Sequence, residues 1–316
     1  MPATVGAASD LIAAIGHTPM VELRRLAPHD GVRLYAKLEG NNPTGSVKDR
    51  VARAMVESAL ADGSLQPGQT ILEPSSGNTG ISLAMIGSRL GHPVRIVMPD
   101  NTTVEREQLL RLFGAEMVFS PGAEGSNGAI RLAQSLADED PGLFMPYQYG
   151  NEANPRAHAE TTGPEIAEQV PDVDVFVAGL GTGGTLTGVG RFLKRERPGV
   201  RIVAAEPLPG ELVQGLRSLE EGFVPPVLDA SVLDDRHLVS NRDAVIGLRR
   251  LLREEGIFAG LSSGAAVAVA ARVAREMEAG SVVVLLADGG WKYLSADLWN
   301  RDLDQLEDEL EGSLLW

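Results

Sequence analysis

The chain of 316 residues contains no cysteine, and this absence excludes several kinds of site at once. Without thiols the protein can form no disulfide, no cysteine nucleophile and no cysteine-bound metal. Histidine is also scarce: five residues are scattered along the chain, and no two form an H-x-x-x-H pair. Because zinc sites without cysteine depend on histidine clusters of that kind, we expect no metal site.

Basic residues and long apolar runs are in short supply as well. The 28 Lys and Arg residues face 43 Asp and Glu residues, and the formal net charge is −15. A nucleic-acid partner requires clustered basic side chains, so this balance argues against one. No apolar run reaches the ~20 residues of a membrane span, and the N-terminus lacks a signal-peptide pattern. The sequence therefore predicts a cytoplasmic protein that binds neither nucleic acid nor membrane.

What the sequence does contain is an alternation of short apolar runs and amphipathic stretches. The apolar runs are dense in Val, Ile and Leu, as in strands that are covered on both faces. The candidate strands are Arg33–Glu39, Thr70–Pro74, Val94–Pro99, Glu116–Ser120, Met145–Tyr149, Val173–Gly179, Val200–Glu206 and Ser281–Ala287. The candidate helices include Val47–Ala61, Gly125–Ala137, Asp243–Glu255 and Gly264–Glu278. This order predicts an α/β protein with open, mostly parallel sheets and helices on both faces, and the length favours two domains.

A glycine-rich turn follows the predicted strand Val173–Gly179. It reads G-L-G-T-G-G-T over Gly179–Thr185 and opens a stretch that can be helical. Free backbone N–H groups at such a helix start bind anions, and glycine lets a phosphate approach closely. The turn also matches G-x-G-x-x-G, and Glu206 ends the next strand where a dinucleotide fold places its ribose-binding acid. A phosphate site, a nicotinamide site and an ordinary tight turn are all compatible with this segment alone.

Two further turns follow the same design. Ser75–Gly80 reads S-S-G-N-T-G between a strand and an apolar stretch, and its hydroxyl and amide donors suit a carboxylate. Leu261–Ala266 opens an alanine-rich helix, and the Ser262 hydroxyl can hydrogen-bond a ring nitrogen without charging it. Helix capping explains either turn by itself. A dehydrogenase, however, gives no reason for two additional turns.

One lysine stands out by its position. Lys48 follows N-P-T-G-S-V at the start of a predicted helix. Most lysines near helix ends are solvated surface charges. A lysine that is desolvated near a helix N-terminus has its ammonium form disfavoured, which suits it to act as an amine nucleophile or Schiff-base former.

Taken together, these four segments resemble the cysteine synthase branch of the fold type II pyridoxal-phosphate enzymes. The resemblance extends from about His17 to Leu294. Its other landmarks are Lys37-Leu38-Glu39, Tyr147-Gln148-Tyr149-Gly150-Asn151, Thr161–Ile166 and Ala259-Gly260-Leu261. It implies a fold like that of tryptophan synthase β chains, with a smaller domain over 41–150 and a larger one formed by 1–40 and 151–316. The smaller domain would carry Lys48 and the Ser75–Gly80 turn, and the larger one the Gly179–Thr185 turn.

The resemblance also implies a role for each segment. Lys48 would be the catalytic residue and would hold pyridoxal 5′-phosphate covalently. Asn78 would contact the ring hydroxyl of the cofactor, and Ser262 its pyridine nitrogen. The cofactor phosphate would be bound by Gly181, Thr182, Gly183, Gly184 and Thr185. The substrate carboxylate would be bound by Ser75, Ser76, Thr79 and Gln148.

The implied reaction is β-replacement on an activated serine, through an aminoacrylate, to give L-cysteine. The segment Gly215–Pro225 resembles the actinobacterial type that uses O-phosphoserine, in which an arginine at the place of Arg217 binds the substrate phosphate. A guanidinium suits a dianionic phosphate and adds little for a neutral acetyl ester. The loop Glu206–Glu211 departs from that pattern, which leaves O-acetylserine open. The implied sulfur donor is sulfide, thiosulfate or a thiocarboxylated sulfur-carrier protein, and the implied assembly is a homodimer.

Alternative activities remain on the same fold. Asp49, directly after Lys48, fits the synthases better than the dehydratases, yet cystathionine β-synthase and serine dehydratase activity stay possible. An NAD-dependent oxidoreductase is a more distant alternative. The apolar C-terminus Leu314–Trp316 is either a frayed tail or a segment that folds back over the site.

Overall fold

The described part of the chain forms two mostly parallel sheets, each with helices packed on its faces. The computed structural model describes residues 7–75, 77–211 and 213–304. Its strands are β1 Met20–Glu22, β2 Val32–Leu38, β3 Thr70–Pro74, β4 Val94–Pro99, β5 Glu116–Ser120, β6 Leu143–Phe144, β7 Val175–Gly179, β8 Arg201–Pro207, β9 Asp235–Val239 and β10 Gly280–Leu286. Its α-helices are α1 Lys48–Asp62, α2 Asn78–Leu90, α3 Val104–Leu112, α4 Gly125–Glu139, α5 Ala153–Ala157, α6 Gly163–Gln169, α7 Gly184–Glu196, α8 Asn241–Glu255 and α9 Leu261–Glu276.

The smaller sheet has the strand order β5-β4-β3-β6, and all of its pairs are parallel. Helices α1 and α2 bury side chains such as Val51 and Ile81 against one face. Helix α4 covers the other face, where Ala129 and Ala133 pack against Leu72 and Val97. The dense apolar composition of β3 and β4 is therefore explained by cover on both sides.

The larger sheet has the order β1-β2-β10-β7-β8-β9, and only β1 is antiparallel. Helices α8 and α9 pack on one face around residues such as Leu248 and Val269. Helices α6 and α7 cover the opposite face through Ile166 and Leu186. The prediction of an α/β fold with two mostly parallel sheets and helices on both faces is confirmed.

One predicted strand is wrong. The segment Met145–Tyr149 contains only turn and irregular backbone, and β6 lies just before it. Pro146 has no backbone N–H to give to a ladder, and Tyr147 has a φ of 57°. The N–H groups of Tyr147 and Gln148 instead donate to the buried side chain of Glu73.

The short strand β1 and the edge strand β9 were not predicted. Strand β9 alternates half-buried and exposed residues, and its composition D-R-H-L-V is too polar for the apolar-run criterion. The 4-stranded sheet is built from residues between Thr70 and Phe144, while the domain boundaries at 41 and 150 stay a prediction. The tail Leu314–Trp316 lies outside the described residues. In the part of the chain that is described, no helix has the length and hydropathy needed to cross a bilayer.

Candidate active site

A cleft lies where the carboxyl ends of β3 and β7 meet the N-termini of α2 and α7. Open parallel sheets bind ligands at this edge. The cleft brings together residues from all the predicted segments. Its lining includes Lys48, Ser75, Asn78, Thr79, Gln148, Gly181, Thr182, Gly183, Thr185, Arg217 and Ser262.

Lys48 is the first residue of α1 and its side chain lines the cleft. Burial lowers the pKa of Lys48 to about 8, and the negative charge of Asp288 only partly opposes this. An ammonium that is taken out of water loses solvation, so its neutral form becomes accessible near neutral pH. Lys48 therefore has the environment of an amine nucleophile.

The Gly181–Thr185 turn leads from β7 into α7 and includes the first two residues of that helix. Gly183 has a φ of 83°, and a Cβ on Gly181 would lie 2.6 Å from the carbonyl oxygen of Gly215. Both positions therefore require glycine. The Thr182 hydroxyl accepts a hydrogen bond from the backbone N–H of Gly184 at 3.3 Å. The turn thus exposes helix N-terminal donors to the cleft, which suits a phosphate.

A buried histidine that the sequence did not single out supports this turn. The two ring nitrogens of His158 contact the hydroxyl groups of Thr185, at 3.2 Å, and Thr162, at 2.9 Å. Burial lowers the pKa of His158 well below its usual range, and the charges of Lys48 and Arg50 add to this effect. The neutral ring offers one donor and one acceptor, so it orients the Thr185 hydroxyl without adding charge.

The Ser75–Gly80 turn lies on the opposite wall. The Ser75 hydroxyl accepts hydrogen bonds from the N–H groups of Gly77 and Gly80, at 3.3 and 3.1 Å. The bond from Gly80 satisfies an N–H group in the first turn of α2, and Ser75 also lines the cleft. Thr79 donates to the side-chain oxygen of Gln148 at 2.7 Å. Ser76 lies outside the described residues.

The side chain of Glu73 fixes the backbone of Gln148 by a hydrogen bond. Its carboxyl oxygens accept from the backbone N–H groups of Tyr147 and Gln148, at 2.8 and 3.0 Å. Burial raises the pKa of Glu73 to about 8, although these two hydrogen bonds oppose the shift. The irregular backbone that replaces the predicted strand is thus fixed by a side chain of β3.

Asn78 and Ser262 lie at the two helix starts that flank Lys48. Asn78 opens α2, and its amide donates to Asp288 at 2.8 Å and accepts from Lys292 at 2.6 Å. Ser262 is the second residue of α9 and lines the cleft next to Gly215. Asp288 and Lys292 were not among the predicted site residues, and both lie more than two hundred positions away from Asn78 in the chain.

Arg217 reaches the same cleft from the loop after β8. One guanidinium nitrogen donates to the Asn127 side chain at 3.2 Å. The guanidinium also lies 4.7 Å from the ring centre of Phe223 and 5.6 Å from that of Tyr149. Arg106, Ser126 and Tyr149 line the cleft as well and were not among the predicted site residues.

Glu206, the acid of the dinucleotide interpretation, is engaged elsewhere. Its buried carboxylate accepts from the backbone N–H of Leu219 at 2.7 Å and from Arg236 at 3.2 Å. A carboxylate committed to these donors is not placed to bind a ribose. The structure thus removes the main support for that alternative.

The arrangement suits a phosphorylated aldehyde. The cleft offers helix N-terminal donors for a phosphate, an amide and a hydroxyl for the polar atoms of a ring, and a lysine of low pKa for the aldehyde. Pyridoxal phosphate has this combination of groups.

Comparison with known proteins agrees with this chemistry. The family described as "Pyridoxal-phosphate dependent enzyme" matches residues 11–289. A cysteine synthase of Staphylococcus aureus is 45% identical over 298 residues, which cover 91% of this chain and 96% of the relative.

Solved structures give the same result. A cysteine synthase of Entamoeba histolytica superposes with a TM-score of 0.88 at 35% identity, covering 98% of this chain and 97% of its own. An O-ureido-L-serine synthase superposes with a TM-score of 0.87 at 44% identity, covering 92% and 95%. The chain therefore belongs to the pyridoxal-phosphate dependent enzymes, uses pyridoxal 5′-phosphate as its cofactor, and shares its fold type with the cysteine synthases.

Proposed function

We propose that the protein is a cysteine synthase that replaces the phosphate of O-phosphoserine by sulfur. The β-replacement itself rests on the relationship to cysteine synthases. The choice of O-phosphoserine rests on one observation: Arg217 lines the same cleft as Lys48. An activated serine bound at Lys48 would have its leaving group within the reach of a cation.

Lys48 has two proposed roles. It holds the cofactor, and as a neutral amine it takes the α-proton of the bound substrate and later returns it. The lowered pKa of Lys48, about 8, suits a group that must accept and release a proton near neutral pH. The cofactor, when bound, supplies the electron sink that makes the α-proton acidic.

The substrate carboxylate is proposed to bind at the turn that begins with Ser75. Thr79 and Gln148 hold each other by a 2.7 Å hydrogen bond, and Glu73 fixes the backbone on which Gln148 sits. Ser76 belongs to the same proposed set. Arg217 lines the same cleft as this turn, so both ends of an activated serine would find donors there.

Arg217 is preorganised to receive a phosphate. The hydrogen bond to Asn127 and the rings of Phe223 and Tyr149 restrict its guanidinium while leaving donor groups at the cleft. Preorganisation reduces the conformational entropy that the side chain loses when the ligand binds. A planar guanidinium forms paired, charge-assisted hydrogen bonds with a phosphate dianion, which an acetyl group cannot match.

The sulfur donor and the assembly are further parts of the proposal. Sulfide, thiosulfate and a carrier-protein thiocarboxylate are the donor candidates, and all three are anions. We propose a homodimer as the assembly, which light scattering on a sizing column would test by giving a mass of two chains.

The experiment that tests the function is a comparison of kcat/KM for O-phosphoserine and O-acetylserine with sulfide as donor, followed as cysteine formed. We expect O-phosphoserine to be preferred by at least about tenfold, since charge-assisted hydrogen bonds are worth roughly 1.5–3 kcal/mol each. Preference for O-acetylserine would contradict the substrate assignment. Accumulation of pyruvate, or cystathionine formed from added homocysteine, would show a dehydratase or a cystathionine synthase instead. A Lys48→Ala variant is the control for background chemistry.

A further inference from the structure

Two buried charged residues meet at the amide of Asn78, and the proposed function assigns neither of them a role. Lys292 has 0% and Asp288 has 2% of its surface exposed. Asp288 lies just after β10, and Lys292 lies in the short 3₁₀ helix Gly290–Ala296. Burying a charge is costly unless a partner compensates it, so this pair needs an explanation.

The hydrogen bonds at Asn78 run in directions that chemistry imposes. Lys292 donates to the amide oxygen of Asn78 at 2.6 Å, and the amide nitrogen of Asn78 donates to Asp288 at 2.8 Å. An ammonium can only donate, and an ionised carboxylate can only accept. Turning the Asn78 amide over would set its NH₂ group against Lys292 and its oxygen against Asp288. The pair therefore permits one orientation of the amide.

We infer that Lys292 and Asp288 are positioning residues that fix Asn78 with its NH₂ group available to the cofactor. The inference rests on the proposed role of Asn78 toward the ring hydroxyl. Asn78 lines the cleft beside Lys48, and its NH₂ group carries a second hydrogen beyond the one given to Asp288. A flipped amide would present an acceptor to the ring oxygen instead of a donor.

The surrounding residues keep this pair in place. Tyr293 donates its hydroxyl to Asp288 at 2.8 Å. Asp49, which accepts from Ser82 at 2.5 Å, places a second negative charge near Lys292. Burial lowers the pKa of Lys292 to about 8, but the charges of Asp288 and Asp49 oppose that shift. These two carboxylates favour the ammonium form of Lys292, which donates to Asn78.

A double-mutant cycle on cofactor affinity tests the inference. The readout is the Kd of pyridoxal phosphate for the apo-protein, titrated by tryptophan fluorescence, with the melting temperature of each apo-protein measured alongside. We expect Lys292→Met to weaken binding about tenfold in the wild-type background, the size of a charge-assisted hydrogen bond. In an Asn78→Ala background it should change the Kd by less than about twofold, because there is no amide left to orient. Lys292→Arg, which keeps a cationic donor, should recover most of the affinity.

Lys37 provides the matched control. It is also fully buried, and it donates to the carbonyl oxygen of Thr18 at 2.7 Å and to Gln169 at 2.8 Å, at positions outside the cleft lining. Lys37→Met should lower the melting temperature and leave the Kd of pyridoxal phosphate unchanged. This control separates the loss of a buried lysine from the loss of the contact with Asn78.

Each outcome has a distinct meaning. If Lys292→Met binds the cofactor like the wild type, or weakens binding equally in both backgrounds, the inference is wrong. If Asn78→Ala itself binds like the wild type, the proposed role of Asn78 fails first. Asp288→Ala carries the same cycle should Lys292→Met not fold: its loss of affinity must also vanish in the Asn78→Ala background, and an equal loss there overturns the inference.

Discussion

Replacing Arg217 should change the substrate preference of the enzyme rather than its general activity. The guanidinium lies in the cleft with Lys48, is bonded to Asn127 and is flanked by two aromatic rings. Arg217→Ala removes the proposed phosphate contact and leaves the turns around Ser75 and Gly181 untouched.

The expected loss of kcat/KM for O-phosphoserine follows from the hydrogen bonds that Arg217 would form with the phosphate. Two charge-assisted hydrogen bonds to a phosphate are worth roughly 1.5–3 kcal/mol each. Because Arg217 is partly exposed, solvent screening places the total near the lower end, at about 3 kcal/mol, or about 100-fold in kcat/KM for O-phosphoserine. For O-acetylserine we expect a change of at most about threefold, because a neutral ester gains little from the guanidinium. Arg217→Lys keeps the charge but loses the planar fork, so an intermediate loss of about tenfold is expected.

The assay is steady-state cysteine formation with each serine ester at saturating sulfide. Arg24→Ala, which removes an exposed arginine paired with Glu22, is the control and should leave both substrates unaffected. Equal losses for O-phosphoserine and O-acetylserine in Arg217→Ala would refute the reasoning and reduce Arg217 to a structural residue of its loop.

Three further predictions concern the Gly181–Thr185 turn, Lys48, and the buried ion pairs of Glu165 with Arg50 and Lys37. Gly184→Ala places a Cβ 2.0 Å from the side-chain oxygen of Asn154, so the turn must shift. The Kd of pyridoxal phosphate should therefore rise at least about tenfold, and an unchanged Kd would contradict this prediction. Burial lowers the pKa of Lys48 to about 8, so the rate of cofactor attachment to the apo-protein should rise with pH through about 8 and level off above about 9, where most of the amine is neutral. A rate, followed by stopped-flow absorbance, that still rises steeply between about pH 9 and about pH 10 would contradict this expectation. Burial opposes ionisation of Glu165, but Arg50 and Lys37 outweigh it and lower its pKa to about 2. The stabilisation is therefore complete above the unfolded pKa near 4.5 and is lost as the pH falls toward 2. Glu165→Gln should cost about 3 kcal/mol of unfolding free energy at pH 7 by urea titration and flatten that acid limb; the exposed Glu196→Gln should cost little, and equal costs would refute the argument.

The parts of the fold that the sequence predicted best are the buried parallel strands. Strands β3 and β4 begin and end where the apolar runs do, because burial on both faces forces a continuous apolar composition. The edge strand β5 also has the predicted bounds, although its first four residues are exposed or half-buried. Strand β9 was not predicted because an edge strand tolerates polar residues such as Asp235 and Arg236. The false strand at Met145–Tyr149 has a suitable composition, but its N–H groups bond Glu73, a long-range contact that no local pattern reports.

The site also contains some residues that can be predicted from the sequence and others that cannot. The three turns and Lys48 were visible because each places its donors by local rules of glycine geometry and helix starts. The residues that support them were not visible. His158 contacts Thr185 from a neighbouring helical segment of the larger sheet, and Lys292 contacts Asn78 where the parts built on the two sheets meet. Both pairings depend on tertiary packing. Lone buried histidines and lysines carry no periodicity, so only the three-dimensional structure identifies their partners.

We propose that the enzyme eliminates phosphate from O-phosphoserine before sulfur enters, with Lys48 taking the α-proton. The most direct measurement is a rapid-mixing assay of inorganic phosphate and visible absorbance with O-phosphoserine and no sulfur donor. We expect a burst of one phosphate per active site with loss of the resting cofactor band, its return when sulfide is added, and no burst in Lys48→Ala. Absence of phosphate release, or continuous release with formation of pyruvate, would contradict it.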